Sequence, residues 1–170
     1  MTAGQGTVAD MADVEATAER AALGAYLQGQ RDSVLAILNG LDERAWRTSV
    51  VPSGWTPLSL LEHLGHAEQF WAQVVLAGEV PPPSWWSDGE AREVGDVAAF
   101  YRDQCARTDA IVADLGLDDR PPGVLRPNLP APVHDVRDVL LHLVEETARH
   151  AGHLDIAREL LDGRTGLGPR

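Results

Sequence analysis

The chain has 170 residues, with 14 Lys and Arg against 26 Asp and Glu, a formal net charge of −12. That length fits one domain with a substantial core, and the negative balance argues against phosphate backbones and anionic membranes as partners. A single Cys makes neither an internal disulfide nor a CxxC metal site, which suits a reducing, cytoplasmic setting. The acidic N-terminus lacks the apolar run of a signal peptide, and no stretch is long and apolar enough to span a bilayer. Six His are the least ordinary part of the composition: none precedes His63 and four lie beyond Pro132.

Apolar residues recur at helical rather than strand spacing, and four segments are predicted. The first runs from Val14 to Leu38, with Leu23, Leu27, Val34 and Leu38 on one stripe and Asn39-Gly40 as its stop. The second runs from Pro57 to Ala77, capped by Thr56, with a tolerated first-turn Pro and Gly78 at its end. The third runs from Val97 to Leu115, with Asp96 as N-cap and Gly116 as stop. The fourth runs from Val136 to Leu161, capped by Asp135, with Asp138 also at the positive end of the helix dipole and Gly163 as stop. The connections are long and Pro-rich: one contains Pro81-Pro82-Pro83-Ser84-Trp85-Trp86, and five prolines lie between Leu117 and Val133. The pattern predicts an all-α fold, a four-helix bundle over residues 14–163, with flexible tails at 1–13 and 164–170.

At about 100° per residue, His63 falls on the inward line of the second helix with Ala67, Phe70 and Val74, and His66 falls toward its polar flank. On the fourth helix, His142, Glu146, His150 and His153 follow at spacings of four, four and three. They form a narrow polar stripe beside the core face of Val139, Leu143, Leu154 and Ala157. Such groups bordering an apolar seam are expensive to bury unless paired or bound to a cation. Taken alone, a lone inward His suits a hydrogen-bonded core residue, and a polar stripe suits a solvated flank or salt-bridge ladder. Their coincidence on two helices adds a third reading, an open metal site of two His and one Glu. The order of residues is not HExxH, which argues against a zinc protease.

The stretch Pro52-Ser53-Gly54-Trp55-Thr56-Pro57-Leu58, followed by Leu61-Glu62-His63-Leu64 and Glu68, resembles the second-helix start of the DinB/YfiT-like superfamily. The stretch from Leu140 through Leu141-His142-Leu143-Val144-Glu145-Glu146-Thr147-Ala148-Arg149-His150-Ala151-Gly152-His153 to Asp155 resembles the last helix of its actinobacterial branch. That branch contains mycothiol-dependent S-transferases and is similar to the N-terminal domain of mycothiol-dependent maleylpyruvate isomerase. The resemblance covers about Ala21 to Gly163 and implies a four-helix bundle, often dimeric, with a divalent metal on three side chains.

Carried over by motif, the ligands are His63, Glu146 and His150; His142 fits either an outer partner of a ligand or a helix-end polar residue, and His153 is a further candidate outer partner. The resemblance implies a divalent metal, and two imidazoles with a carboxylate suit zinc first, with nickel, iron or manganese as alternatives. The implied chemistry uses mycothiol, a low-molecular-weight thiol, activated as a metal-bound thiolate for attack on a small electrophile. The alternatives are a metal-dependent hydrolase and a non-catalytic metal-binding stress protein, because fold does not decide function. Cys105, in mid-helix with no His in reach by spacing, reads as a packing residue. Trp85 and Trp86 fit either the wall of an electrophile pocket or a cover for the bundle end. Arg149 fits either an anionic substrate contact or a helical ion pair with Glu145.

Overall fold

The computed structural model describes residues 8–81, 92–122 and 133–166, with side chains from Val14 onward. The described residues are all-helical, with five α-helices: α1 (Val8–Leu38), α2 (Glu43–Trp46), α3 (Pro57–Gln69), α4 (Val94–Ala113) and α5 (Val136–Asp162). Four are the expected ones. Helix α1 starts at Val8 rather than Val14, so part of the segment read as a flexible tail is helical; no Gly or Pro interrupts the chain between Gly6 and Gly24. The four-residue α2 escaped the periodicity reading because one turn carries no repeat. It is capped by Asp42, which accepts from the Ala45 N–H at 2.7 Å, and it delivers Trp46 to the core.

Helix termini follow from local chemistry. The Ser59 N–H donates to Thr56 Oγ1 (3.1 Å) and the Thr56 N–H donates back to Ser59 Oγ (2.9 Å), a reciprocal cap that starts α3. Asp135 accepts from the Asp138 N–H at 2.9 Å, and α5 stops at Gly163, whose φ of 77° suits a residue without Cβ. On α4 the N-cap is Glu93, not Asp96; Asp96 lies within the first turn, where its charge still meets the helix dipole. This helix also ends at Ala113, ahead of the expected Leu115.

Beyond Gln69 the helix widens into a π-helical stretch, Phe70–Leu76. Residues Trp71 to Leu76 are all buried, including Gln73, whose Nε2 donates to Gln104 Oε1 at 2.5 Å. The run Trp-Ala-Gln-Val-Val-Leu offers no charged face, as expected of a helix covered on all sides.

Side-chain contacts give the helix directions. Arg137 near the start of α5 pairs with Glu19 (2.6 Å) and Arg158 near its end bonds the carbonyl of Asn39 (2.8 Å), so α1 and α5 run parallel. His63 meets Glu146 while Trp71 meets His142, so α3 and α5 run antiparallel. His66 meets Phe100 while Gln73 meets Gln104, so α3 and α4 run parallel. The order is up, down, down, up. A parallel α3–α4 pair requires a connection as long as the helices, which accounts for the length of the segment between Gly78 and Glu93.

Two apolar clusters fill the bundle. One gathers Val34, Leu38, Trp46, Leu61, Leu64, Val97, Tyr101 and Leu154; the other gathers Leu27, Trp71, Val75, Leu76, Val139, Leu140 and Leu143. Between them lies a buried polar belt drawn from all four long helices: Arg31, Glu68, Gln104 with Thr108, and Thr147. The Arg31 guanidinium holds Glu68 through two bonds (2.8 and 2.9 Å), both side chains being 2% exposed, and reaches Asp109 at 2.7 Å. Burial works against the charge of Arg31, yet the Glu68 carboxylate more than offsets it and holds its pKa above the usual range.

Candidate metal centre

The site is assembled from one turn of α5 and one residue of α3. Glu146 and His150 stand four apart on α5 and so share a face, and the antiparallel α3 brings His63 opposite them. Glu146 Oε1 lies 3.0 Å from His63 Nε2 and 3.0 Å from His150 Nε2. One ligand atom from each of the three residues falls within 4.8 Å of the others. Glu146 and His150 are 13% and 15% exposed, whereas His63 is 36% exposed, so the cluster opens to solvent on the α3 side. His63 therefore sits at the α3–α5 seam, beside the core line formed by Leu61, Leu64 and Glu68.

The cluster's electrostatics centre on Glu146. Hydrogen bonds from His150, then His63, hold its carboxyl well below the ordinary carboxylate range against the opposing effect of burial. Its second oxygen, Oε2, is 2.9 Å from Arg149 Nη2. Arg149 also pairs with Glu145 at 3.1 Å, so the expected helical ion pair is present and extends to a residue of the cluster.

The remaining histidines divide. His153 Nδ1 lies 3.2 Å from His150 Nδ1, and its ring is 6.1 Å from that of Trp55, so His153 backs the cluster from the next turn of α5. His142 is half-buried against the Trp71 ring (centroids 4.4 Å apart), and burial lowers its pKa. It makes no hydrogen bond to the cluster among the described residues, in contrast to the outer-partner role read from its position. His66, expected at the edge or in solvent, is instead 12% exposed and packed on Phe100 (4.9 Å). The reason is close approach of α4: a Cβ on Gly65 would lie 2.5 Å from Phe100 Cε1. His134 pairs with Asp138 at 3.0 Å, just ahead of the first turn of α5 and outside the cluster.

Cys105 is no rival nucleophile. Burial first, then the Glu68 carboxylate, pushes its thiol up to about 12. Trp85 and Trp86 lie outside the described residues. Sequence reasoning missed the Arg31–Glu68 pair and the Arg149–Glu146 contact. The first had a visible signal, since Arg31 stands on the apolar stripe between Leu27 and Val34.

The donor set fits a divalent cation. Bonds of about 2.0–2.2 Å to one ion place donor atoms about 3–4 Å apart, the spacing that Glu146 Oε1 already has to both imidazoles. Three donors leave positions open for an exogenous group, as in catalytic rather than structural sites.

An up, down, down, up helical bundle with a His-Glu-His cluster across its antiparallel α3 and α5 defines the class: a bundle with a candidate metal centre built on facing helices. Residues 22–163 match the model of the mycothiol-S-transferase family. The match covers most of the chain, and the chain belongs to that family, whose members are enzymes acting on mycothiol. No curated protein and no solved structure matches it. No helix among the described residues is long and apolar enough to cross a membrane.

Proposed function

We propose that this enzyme is a metal-dependent mycothiol S-transferase of the cytoplasm, joining the thiol of mycothiol to a small electrophile at the centre built by His63, Glu146 and His150. The observation that carries the proposal is the convergence of those three donors, with Glu146 Oε1 equidistant from the two imidazole nitrogens. Family membership supports the thiol, and the donor set supports the metal.

The chain's residues have separable tasks in this reading. His63, Glu146 and His150 would hold the ion, zinc first among the metals that suit two nitrogens and one oxygen. A thiol with an ordinary pKa near ~8.5 is mostly protonated at neutral pH, and a divalent cation would supply the charge that favours its thiolate. Glu146, ionised throughout the neutral range, contributes one negative charge and leaves the site net cationic when loaded. His153 fixes the orientation of the His150 ring through the nitrogen facing away from Glu146. The exposed side of His63 is the approach for the second substrate. Burial of Cys105 keeps the protein's own thiol out of competition.

The test is consumption of mycothiol and chlorodinitrobenzene by zinc-loaded protein, followed by absorbance and by mass of the thioether product. The proposal expects conjugate formation above the uncatalysed rate. Hydrolysis of an ester or amide probe without any thiol consumption, across a panel of electrophiles, would overturn it in favour of a metal-dependent hydrolase.

A further inference from the structure

A carboxylate can ligate an ion through one oxygen or through both, and the choice changes how many positions remain open. In this cluster the two oxygens of Glu146 have different neighbours. Oε1 faces His63 and His150 at 3.0 Å each, whereas Oε2 is 2.9 Å from Arg149 Nη2. The same Arg149 nitrogen is 3.1 Å from Glu145 Oε1. The guanidinium thus hydrogen-bonds Glu145 and forms an ion pair with Glu146 Oε2, at four and three residues' separation on one helix, and rotating the Glu146 carboxylate would give up that ion pair.

We propose that Arg149 is a positioning residue that holds Glu146 with a single oxygen turned to the metal. The inference rests on the metal reading of the cluster and goes beyond it by assigning the coordination mode of one ligand to a named side chain. Two effects of Arg149 on a cation compete. Its charge repels the ion, but Arg149 is 48% and Glu145 68% exposed, so solvent weakens that repulsion and Glu145 neutralises part of it. The orienting effect acts at contact distance on a ligand only 13% exposed. Orientation therefore dominates, and removing Arg149 weakens metal binding although it removes a positive charge.

The test measures zinc affinity of the wild type, Arg149→Lys and Arg149→Gln by competition with a chromogenic chelator at fixed ionic strength. It adds the visible spectra of the same proteins saturated with cobalt(II), and circular dichroism to check that the half-exposed substitutions keep the fold. The expected result is a loss of about 10–100-fold in affinity for Arg149→Gln, the range for removing an outer partner of a metal ligand, and a smaller loss for Arg149→Lys. The cobalt bands of saturated Arg149→Gln should lose intensity as the second carboxylate oxygen enters and coordination number rises. Affinity that is unchanged or tighter in Arg149→Gln, with an unaltered cobalt spectrum, would overturn the positioning role while leaving the metal centre standing. A wild-type protein that binds no zinc overturns both.

Discussion

Replacing Glu68 by Gln should be among the most damaging single changes to stability, although it touches no residue of the metal centre. Arg31 and Glu68 are each 2% exposed and joined by two bonds of 2.8 and 2.9 Å. Truncating one partner of a buried pair leaves the other charge without compensation, at a cost of about 3–5 kcal/mol. Asp109 softens this only partly: it reaches Arg31 at 2.7 Å but is itself 60% exposed, so its pairing is screened. For a chain of this size each kcal/mol corresponds to about 2–4 °C in Tm, which predicts a fall of about 6–20 °C. The assay is thermal and urea unfolding of metal-free protein, with Asp109→Asn as the comparison, expected to cost about 1 kcal/mol or less. The double change Arg31→Met, Glu68→Leu should recover much of the loss, because an apolar pair of similar size needs no compensation. A Glu68→Gln protein within about 0.5 kcal/mol of wild type, the scatter of ordinary surface changes, would show that the buried Arg31 does not depend on the Glu68 charge.

Other consequences are as definite. Zinc content should drop sharply in His63→Ala and in Glu146→Ala while the helical circular dichroism persists; normal metal content in both would break the ligand assignment. In metal-free protein, Glu146 has a depressed pKa, so its contribution to stability is complete above the ordinary carboxylate value and fades as pH falls below it. Urea midpoints of Glu146→Gln should therefore fall less steeply than those of wild type from pH ~5 downward, and parallel curves would contradict this. Cys105, with its thiol pushed up to about 12, should react with a disulfide reagent at pH ~8 far more slowly than in guanidinium-unfolded protein; equal rates would mean that the thiol is neither buried nor held neutral. Gly65→Ala should destabilise by about 1–3 kcal/mol through the Cβ–Phe100 clash, read from the urea midpoint, and an unchanged midpoint would show that α4 shifts freely.

The parts of this molecule legible in the sequence are those governed by spacing along one helix. Thr56, Asp135, Gly78 and Gly163 mark ends by local chemistry, and each stands at or beside an observed terminus. Glu146 and His150 share a face by helical periodicity, so two of the three residues of the candidate centre could be drawn before any fold was known. Periodicity also turns His63 inward as a candidate partner, but only the family resemblance or the structure sets it opposite Glu146, since nothing local says that α3 lies antiparallel to α5. What escaped is what depends on contact between distant segments. Arg31 and Glu68 are 37 positions apart, and although Arg31 stands on an apolar stripe, nothing local names Glu68 as its partner. His66 looks solvent-facing on a helical wheel and is covered only because Gly65 admits Phe100. The π-helical stretch has no signature beyond an apolar run, and α2 is a single turn.

If a metal at His63, Glu146 and His150 activates the thiol, mycothiol conjugation must depend on it, and the decisive experiment follows the rate of one preparation before chelation, after it, and after zinc is restored. The rate should fall to the uncatalysed level on stripping and return with zinc, as that dependence requires. A stripped protein that conjugates mycothiol at the full rate would contradict it.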